Sequence, residues 1–229
     1  MRIRNLFFSI LVLGAMVWSQ VASAAVLTYT GLPHGMTTTI SINGTNHTTY
    51  VGEIAFSFTG GTPYGMPNTF FGYCVELEEY LLATSTGEVR STNNLTRNGN
   101  SPNSGPSAAW LYNTYAPTVT DNIRGAALQI AIWKSLYDTA DYSLSTGFFR
   151  VISADAAVLS TANTFLSALR TTGGTSEATW FYVPGDGISG QDVIGPRSSA
   201  IPEPGIVSML AGASMSGLLL CKRRIRQRR

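Results

Sequence analysis

Two residues in this chain have the types needed for acyl chemistry. Cys74 lies in Phe71-Gly72-Tyr73-Cys74-Val75-Glu76, and Gln129 lies in Leu128-Gln129-Ile130-Ala131-Ile132-Trp133. The run from Asn122 to Asp138 around Gln129 is apolar almost all the way round, which predicts a buried helix. A carboxamide on such a helix must find a partner or cost free energy. The partner expected from the sequence is Cys74. A thiolate attacking the side-chain carbonyl of Gln129 would expel ammonia and leave an internal Cys–Gln thioester. An amide is a poor acyl donor, so holding the two groups together must supply much of the drive, on the order of 7 kcal/mol or more. Fixed donors must meet the developing oxyanion, and water must be kept away. Tyr73 and Trp133 are the expected shields.

The elements that position these residues are read from pattern. Thr37–Ile42 and Thr45–Val51 flank Asn43-Gly44, a two-residue hairpin signal. Ile54, Phe56 and Phe58 alternate as on a half-buried strand. Phe70 to Leu77 predicts another strand. There Phe71, Tyr73, Val75 and Leu77 share the apolar face, and Cys74 points away from it. Ser91 to Pro106, rich in Asn, Ser, Gly and Pro, predicts a loop. Ser107 to Tyr115 predicts a short helix. Asp121 is placed to cap the Gln129 helix. Asp141 to Phe149 reads as a linker. Ala154 to Leu169 follows three-four spacing and stops at Gly173-Gly174. Trp180–Val183 and Gln191–Ile194 predict final strands. The order strands, helices, strands predicts an α+β fold: a β-sandwich or barrel-like core with an inserted helical subdomain.

The ends read as targeting segments. Arg2 and Arg4 precede an apolar run, Leu6–Val17, and Ala22-Ser23-Ala24 is a small-residue cleavage site, so residues 1–24 are expected to be a signal peptide. Residues 201–229 begin Ile201-Pro202-Glu203-Pro204. They continue through an apolar stretch to Cys221 and close on Lys222, Arg223, Arg224, Arg226, Arg228 and Arg229. This order predicts a short membrane helix with a basic cytoplasmic stop, the body lying outside. The full chain carries 15 Lys+Arg against 13 Asp+Glu. Without Arg2, Arg4, the six C-terminal cations and Glu203, the body (residues 25–200) keeps seven basic and twelve acidic residues. The basicity therefore belongs to targeting and argues against nucleic acid binding. The body also keeps one cysteine, Cys74, with no disulfide partner, and one lysine, Lys134. A lysine-poor body would spare a thioester from internal amines.

The Cys74 and Gln129 motifs together resemble the thioester domain of bacterial surface adhesins, in which an aromatic-Cys strand motif pairs with an apolar-Gln-any-Ala-apolar-Trp helix motif. By that resemblance Cys74 and Gln129 form the cross-link, and Tyr73, Ala131 and Trp133 complete the motifs. Leu128 stands where those adhesins often carry threonine. Pro202-Glu203-Pro204, the apolar helix and the arginine cluster resemble the PEP-CTERM sorting signal. That likeness implies export from a Gram-negative, exopolysaccharide-producing bacterium, transient membrane anchoring, and cleavage by an exosortase-type processing enzyme. The expected function is a non-enzymatic cell-surface or matrix protein. Its thioester would attach covalently to amines of a protein or polysaccharide partner, in an adhesion or biofilm role.

Two other readings stand beside this one. The first is a noncovalent structural biofilm-matrix protein of the same fold with a free buried cysteine. The second is a cysteine hydrolase pairing Cys74 with His34 or His47, for which no matching signature is present. No Cys/His cluster suggests a metal, and no cofactor is expected.

Overall fold

The computed structural model describes residues 24–97, 104–139, 141–184 and 190–198. The expected signal peptide, the sorting motif Pro202, Glu203 and Pro204, and the C-terminal helix lie outside the described residues. Among the described residues no helix is long and apolar enough to cross a membrane.

The described residues build an α+β fold from seven strands and three α-helices: β1 (Ala25–Ile42), β2 (Thr45–Thr59), β3 (Thr69–Cys74), β4 (Thr84–Ser91), α1 (Ser104–Tyr115), α2 (Asn122–Tyr137), β5 (Phe149–Ser153), α3 (Ala156–Thr172), β6 (Thr179–Tyr182) and β7 (Val193–Gly195). Every strand pairing is antiparallel. The strand order is β2-β3-β7-β6-β4-β1-β5, and β1 also pairs with β2, so the ladder of pairings returns on itself. Strand β1 achieves this by its length: its start pairs with β4 and its end with β5, while β2 follows it almost throughout.

The hairpin forms where Asn43-Gly44 predicts it. Asn43 has φ 47° and Gly44 φ 89°, the left-handed pair that a tight two-residue turn requires. Asp121 caps α2 through its Oδ1, which accepts from the Arg124 amide at 2.8 Å. Helix α3 ends in a left-handed Gly173. Two strands were not legible. Thr84–Ser91 has no apolar alternation, and it is ordered by lying between β1 and β6. The expected Asp141–Phe149 linker gives way at Phe149 to β5, which pairs with the end of β1.

Helix α2 runs through the centre. Residues Gly125 to Tyr137 are all buried, and the helix packs on β1, β2, α1 and α3. Gly125 permits the close approach to β1, since a Cβ there would collide with the His34 carbonyl. Strand β3 departs from expectation in one respect. Phe71 is 52% exposed, whereas Cys74 is 4% exposed and belongs to the core. The simple two-face reading fails because the Cys74 end of β3 is covered on both sides, by the sheet interior and by α2.

Candidate functional site

Strand β3 ends at Cys74, and its two neighbours treat that residue differently. Strand β2 pairs with β3 only as far as Gly72. Strand β7 takes over, with Tyr73 opposite Ile194 and Cys74 opposite Val193. Gly72 lets β7 come close, because a Cβ there would sit 2.7 Å from Val193 Cγ1. On the edge that β2 has left, the peptide groups of Cys74 would be orphaned in the core. Gln129 fills that gap. Its Oε1 accepts from the Cys74 amide at 3.0 Å, and its Nε2 donates to the Cys74 carbonyl at 2.8 Å. The side chain thus acts as a one-residue strand, and the awkward amide of α2 is fully satisfied.

The sulfur points elsewhere. Cys74 Sγ lies 2.5 Å from Oε1 of Gln191, shorter than a normal hydrogen bond. Gln191 is held from three sides. Its Nε2 donates to the Glu76 carbonyl at 2.6 Å, and its backbone amide donates to the Tyr80 carbonyl at 3.1 Å. The third hold is through its neighbour Asp192, which is 1% exposed. Asp192 pairs with Arg97, accepts from Trp180 Nε1 at 3.0 Å and from the Val183 amide at 2.8 Å, and its carbonyl accepts from the Val75 amide at 3.0 Å. Arg97 also donates to the Val75 carbonyl at 3.1 Å. A buried charge network therefore locks the β7 lead-in against β3, one residue on from Gln191.

Burial pushes the Cys74 thiol well above its ordinary range, and the Glu76 and Asp192 carboxylates push it further the same way. At rest the sulfur is a protonated donor to Gln191. The carboxyl of Glu76 is raised as well, chiefly by burial, although Arg97 opposes the shift.

A cavity of about 150 Å³ adjoins the sulfur, lined by Cys74, Gln129, Gln191 and Trp133 among polar residues and by Leu32, Ile54 and Leu81. Trp133 forms one wall of it. It is 3% exposed, tilts against Phe149 with ring centroids 5.7 Å apart, and its Nε1 has no hydrogen-bond partner. Tyr73 is buried but is not among the residues lining this cavity. Its hydroxyl reaches Glu53 at 3.5 Å, and its ring meets Tyr112 edge-on at 6.1 Å. Ala131 is fully buried within α2. Exposed or half-exposed side chains at the mouth, Tyr50, Tyr80 and Leu32, stand closer to the sulfur's cavity than Tyr73 does.

Cys74 and Gln129, expected from the sequence to form the cross-link, meet through the peptide groups of Cys74, while the sulfur faces Gln191, which the sequence did not single out. Nothing around Ser189-Gly190-Gln191-Asp192 marks a site except two polar residues directly before an apolar strand. Gln191 is 117 residues from Cys74, and the β3–β7 pairing brings the two segments together. His34 bonds Glu53 at 2.9 Å and does not line the cavity beside Cys74. Among the described residues no group of His, Cys, Asp and Glu is placed to hold a metal ion. Comparison with protein-family models, with curated proteins and with solved structures finds no match.

Proposed function

We propose that this chain is an exported cell-surface or matrix protein that forms an internal thioester and attaches through it to amines of a partner. It is a single-use covalent anchor rather than an enzyme. In this reading the N-terminal segment directs export. The Pro202-Glu203-Pro204 segment with its apolar helix anchors the chain until an exosortase-like enzyme processes it.

The observation that carries the reading is the 2.5 Å contact between Cys74 Sγ and Gln191 Oε1 in a buried site. In this reading the acyl donor is Gln191 rather than Gln129, the donor expected from the sequence. Gln129 is spent on both peptide groups of Cys74, which presents the sulfur without reacting with it. The thiol sulfur attacks the side-chain carbonyl carbon of Gln191. The C–S bond forms, the C–N bond breaks, and the thiol proton leaves with the nitrogen as ammonia. The Glu76 carbonyl, which accepts from Nε2, orients that leaving group. An amine then attacks the same carbon: C–N forms, C–S breaks, and the amine's proton returns to sulfur.

Intact mass of the purified full-length chain tests this. The expected result is loss of the mass of one ammonia, abolished in Cys74→Ala. Treatment with methylamine followed by peptide sequencing identifies the donor, because the acylating glutamine becomes N-methylated. The label is expected on Gln191. A label on Gln129 would return the cross-link to the helix. A full mass with a free thiol would favour a noncovalent matrix protein with an inert cysteine.

A further inference from the structure

The small cavity beside the sulfur opens toward a larger groove of about 760 Å³. The two share Thr49, Glu79, Tyr80, Trp133 and Gln191 among their lining residues. The groove runs between the β1–β2 hairpin end and the Leu77–Tyr80 segment that follows β3. Its hairpin wall offers short hydroxyl and amide side chains, including Thr45, Asn46 and Thr48. The opposite wall brings the carboxylates of Glu78 and Glu79, and among the described residues no lysine or arginine lines the groove. Tyr80 holds an aromatic ring at the rim, 81% exposed. Trp133 forms part of the floor, and its buried Nε1 awaits an acceptor.

Resting on the thioester reading, we propose that this groove selects the partner: it binds an amino-sugar chain and delivers a free hexosamine amine to the Gln191 acyl carbon. Size argues first. A groove of this volume accommodates a ligand of several rings, and one extended alkylamine would leave most of it to water. Chemistry argues second. Hydroxyl and amide side chains pair with ring hydroxyls, flat aromatic faces pack on the C–H faces of pyranoses, and the Trp133 N–H meets a ring or hydroxyl oxygen. Charge argues third, since the carboxylates attract a cationic polymer and repel an acidic one. The reaction balances as above: the sugar nitrogen bonds to carbon, sulfur leaves, and the amine's proton goes to the thiolate.

The test compares three amines at equal concentration on the purified full-length chain: a β-1,4-linked glucosamine tetramer, an amino-blocked lysine tetrapeptide, and methylamine. Adduct formation is followed by intact mass. The tetramer is expected to label about tenfold faster than the peptide. Tyr80→Ala and Glu78→Gln are expected to slow the tetramer by a similar factor; Glu78→Gln, which lies in the groove and not in the sulfur's cavity, is expected to leave methylamine unchanged. A peptide that labels as fast as the tetramer overturns the proposal, as does a Glu78→Gln chain that reacts more slowly with all three amines alike. Titration calorimetry of the tetramer into the Cys74→Ala chain separates groove from bond. Binding that Tyr80→Ala abolishes supports the groove even if methylamine fails to label the native chain, an outcome that sinks only the thioester. No binding heat overturns the groove while the thioester stands.

Discussion

Helix α2 carries two long polar side chains into the interior five residues apart, and their surroundings separate structure from chemistry. Lys134 is 0% exposed. Its three protons go to Asp138 at 3.1 Å and to the carbonyls of Thr146 and Phe149 at 2.6 and 3.1 Å. Asp138 in turn accepts the amides of Phe148 and Phe149 at 2.7 and 2.9 Å. Every valence is used, and no nucleophile stands nearby. Gln129 is also fully bonded, to a single peptide unit, but the residue it holds carries a thiol beside a cavity and a second carboxamide. A closed polar cluster fixes the turn into β5. A clamp that leaves a thiol facing a second carboxamide is the arrangement the proposed thioester requires. In that proposal the body's one lysine is no competitor: it is sealed and offers no internal amine to the acyl carbon.

Breaking the Lys134 cluster should have the largest effect on stability. Lys134→Met keeps the volume and strands Asp138, which is expected to cost about 3–5 kcal/mol, read as a lowered midpoint of thermal or urea unfolding. A loss under about 1 kcal/mol would mean that the cluster is not a structural keystone. Gln129→Leu comes next. It orphans a buried amide and a buried carbonyl, at about 1–3 kcal/mol each, and should also reduce the yield of ammonia loss. If stability falls and thioester yield does not, Gln129 is a clamp alone.

Gln191→Ala should cost least in folding, about 1 kcal/mol, since only side-chain contacts at the end of a loop are lost. It should nevertheless abolish ammonia loss completely. That inversion, small in stability and total in chemistry, is the sharpest form of the contrast with Lys134.

A further effect is in pH. Burial raises the Cys74 thiol in the folded chain, whereas the unfolded thiol ionises near about 8.5. The stabilisation from keeping the thiol neutral is complete below that value and is lost progressively as pH climbs toward the folded value. The unfolding free energy should then fall by at most about 1.4 kcal/mol per pH unit between about pH 8.5 and 10. Tyr50, whose hydroxyl is pushed up to about 12, titrates outside this window. A chain already closed as a thioester has no thiol to ionise and should show no such slope, nor should Cys74→Ala. Urea midpoints measured across that range distinguish the two states.

Much of the fold was legible because its signals are local. Asn43-Gly44, the Asp121 cap, the three-four spacing of α3 and its Gly173 stop each act within a few residues, and each forms where expected. Strand β4 was not legible, because Thr84–Ser91 gains its burial from β1 and β6 rather than from its own pattern. The site divides the same way. Cys74 and Gln129 stood out by residue type in an apolar setting. Gln191 and the Arg97–Asp192 pair look like loop residues until β7 lies beside β3.

By itself the sequence determined that the glutamine of a buried helix needs a polar partner, since an unpaired carboxamide in a core is costly. Only the tertiary structure decided how. The peptide edge vacated by β2 at Gly72 claims the Gln129 carboxamide, and the β3–β7 register turns the sulfur toward Gln191. Which partner a buried polar group takes depends on the backbone edges left open when the sheet closes, and those edges are set by pairings between segments far apart in the chain.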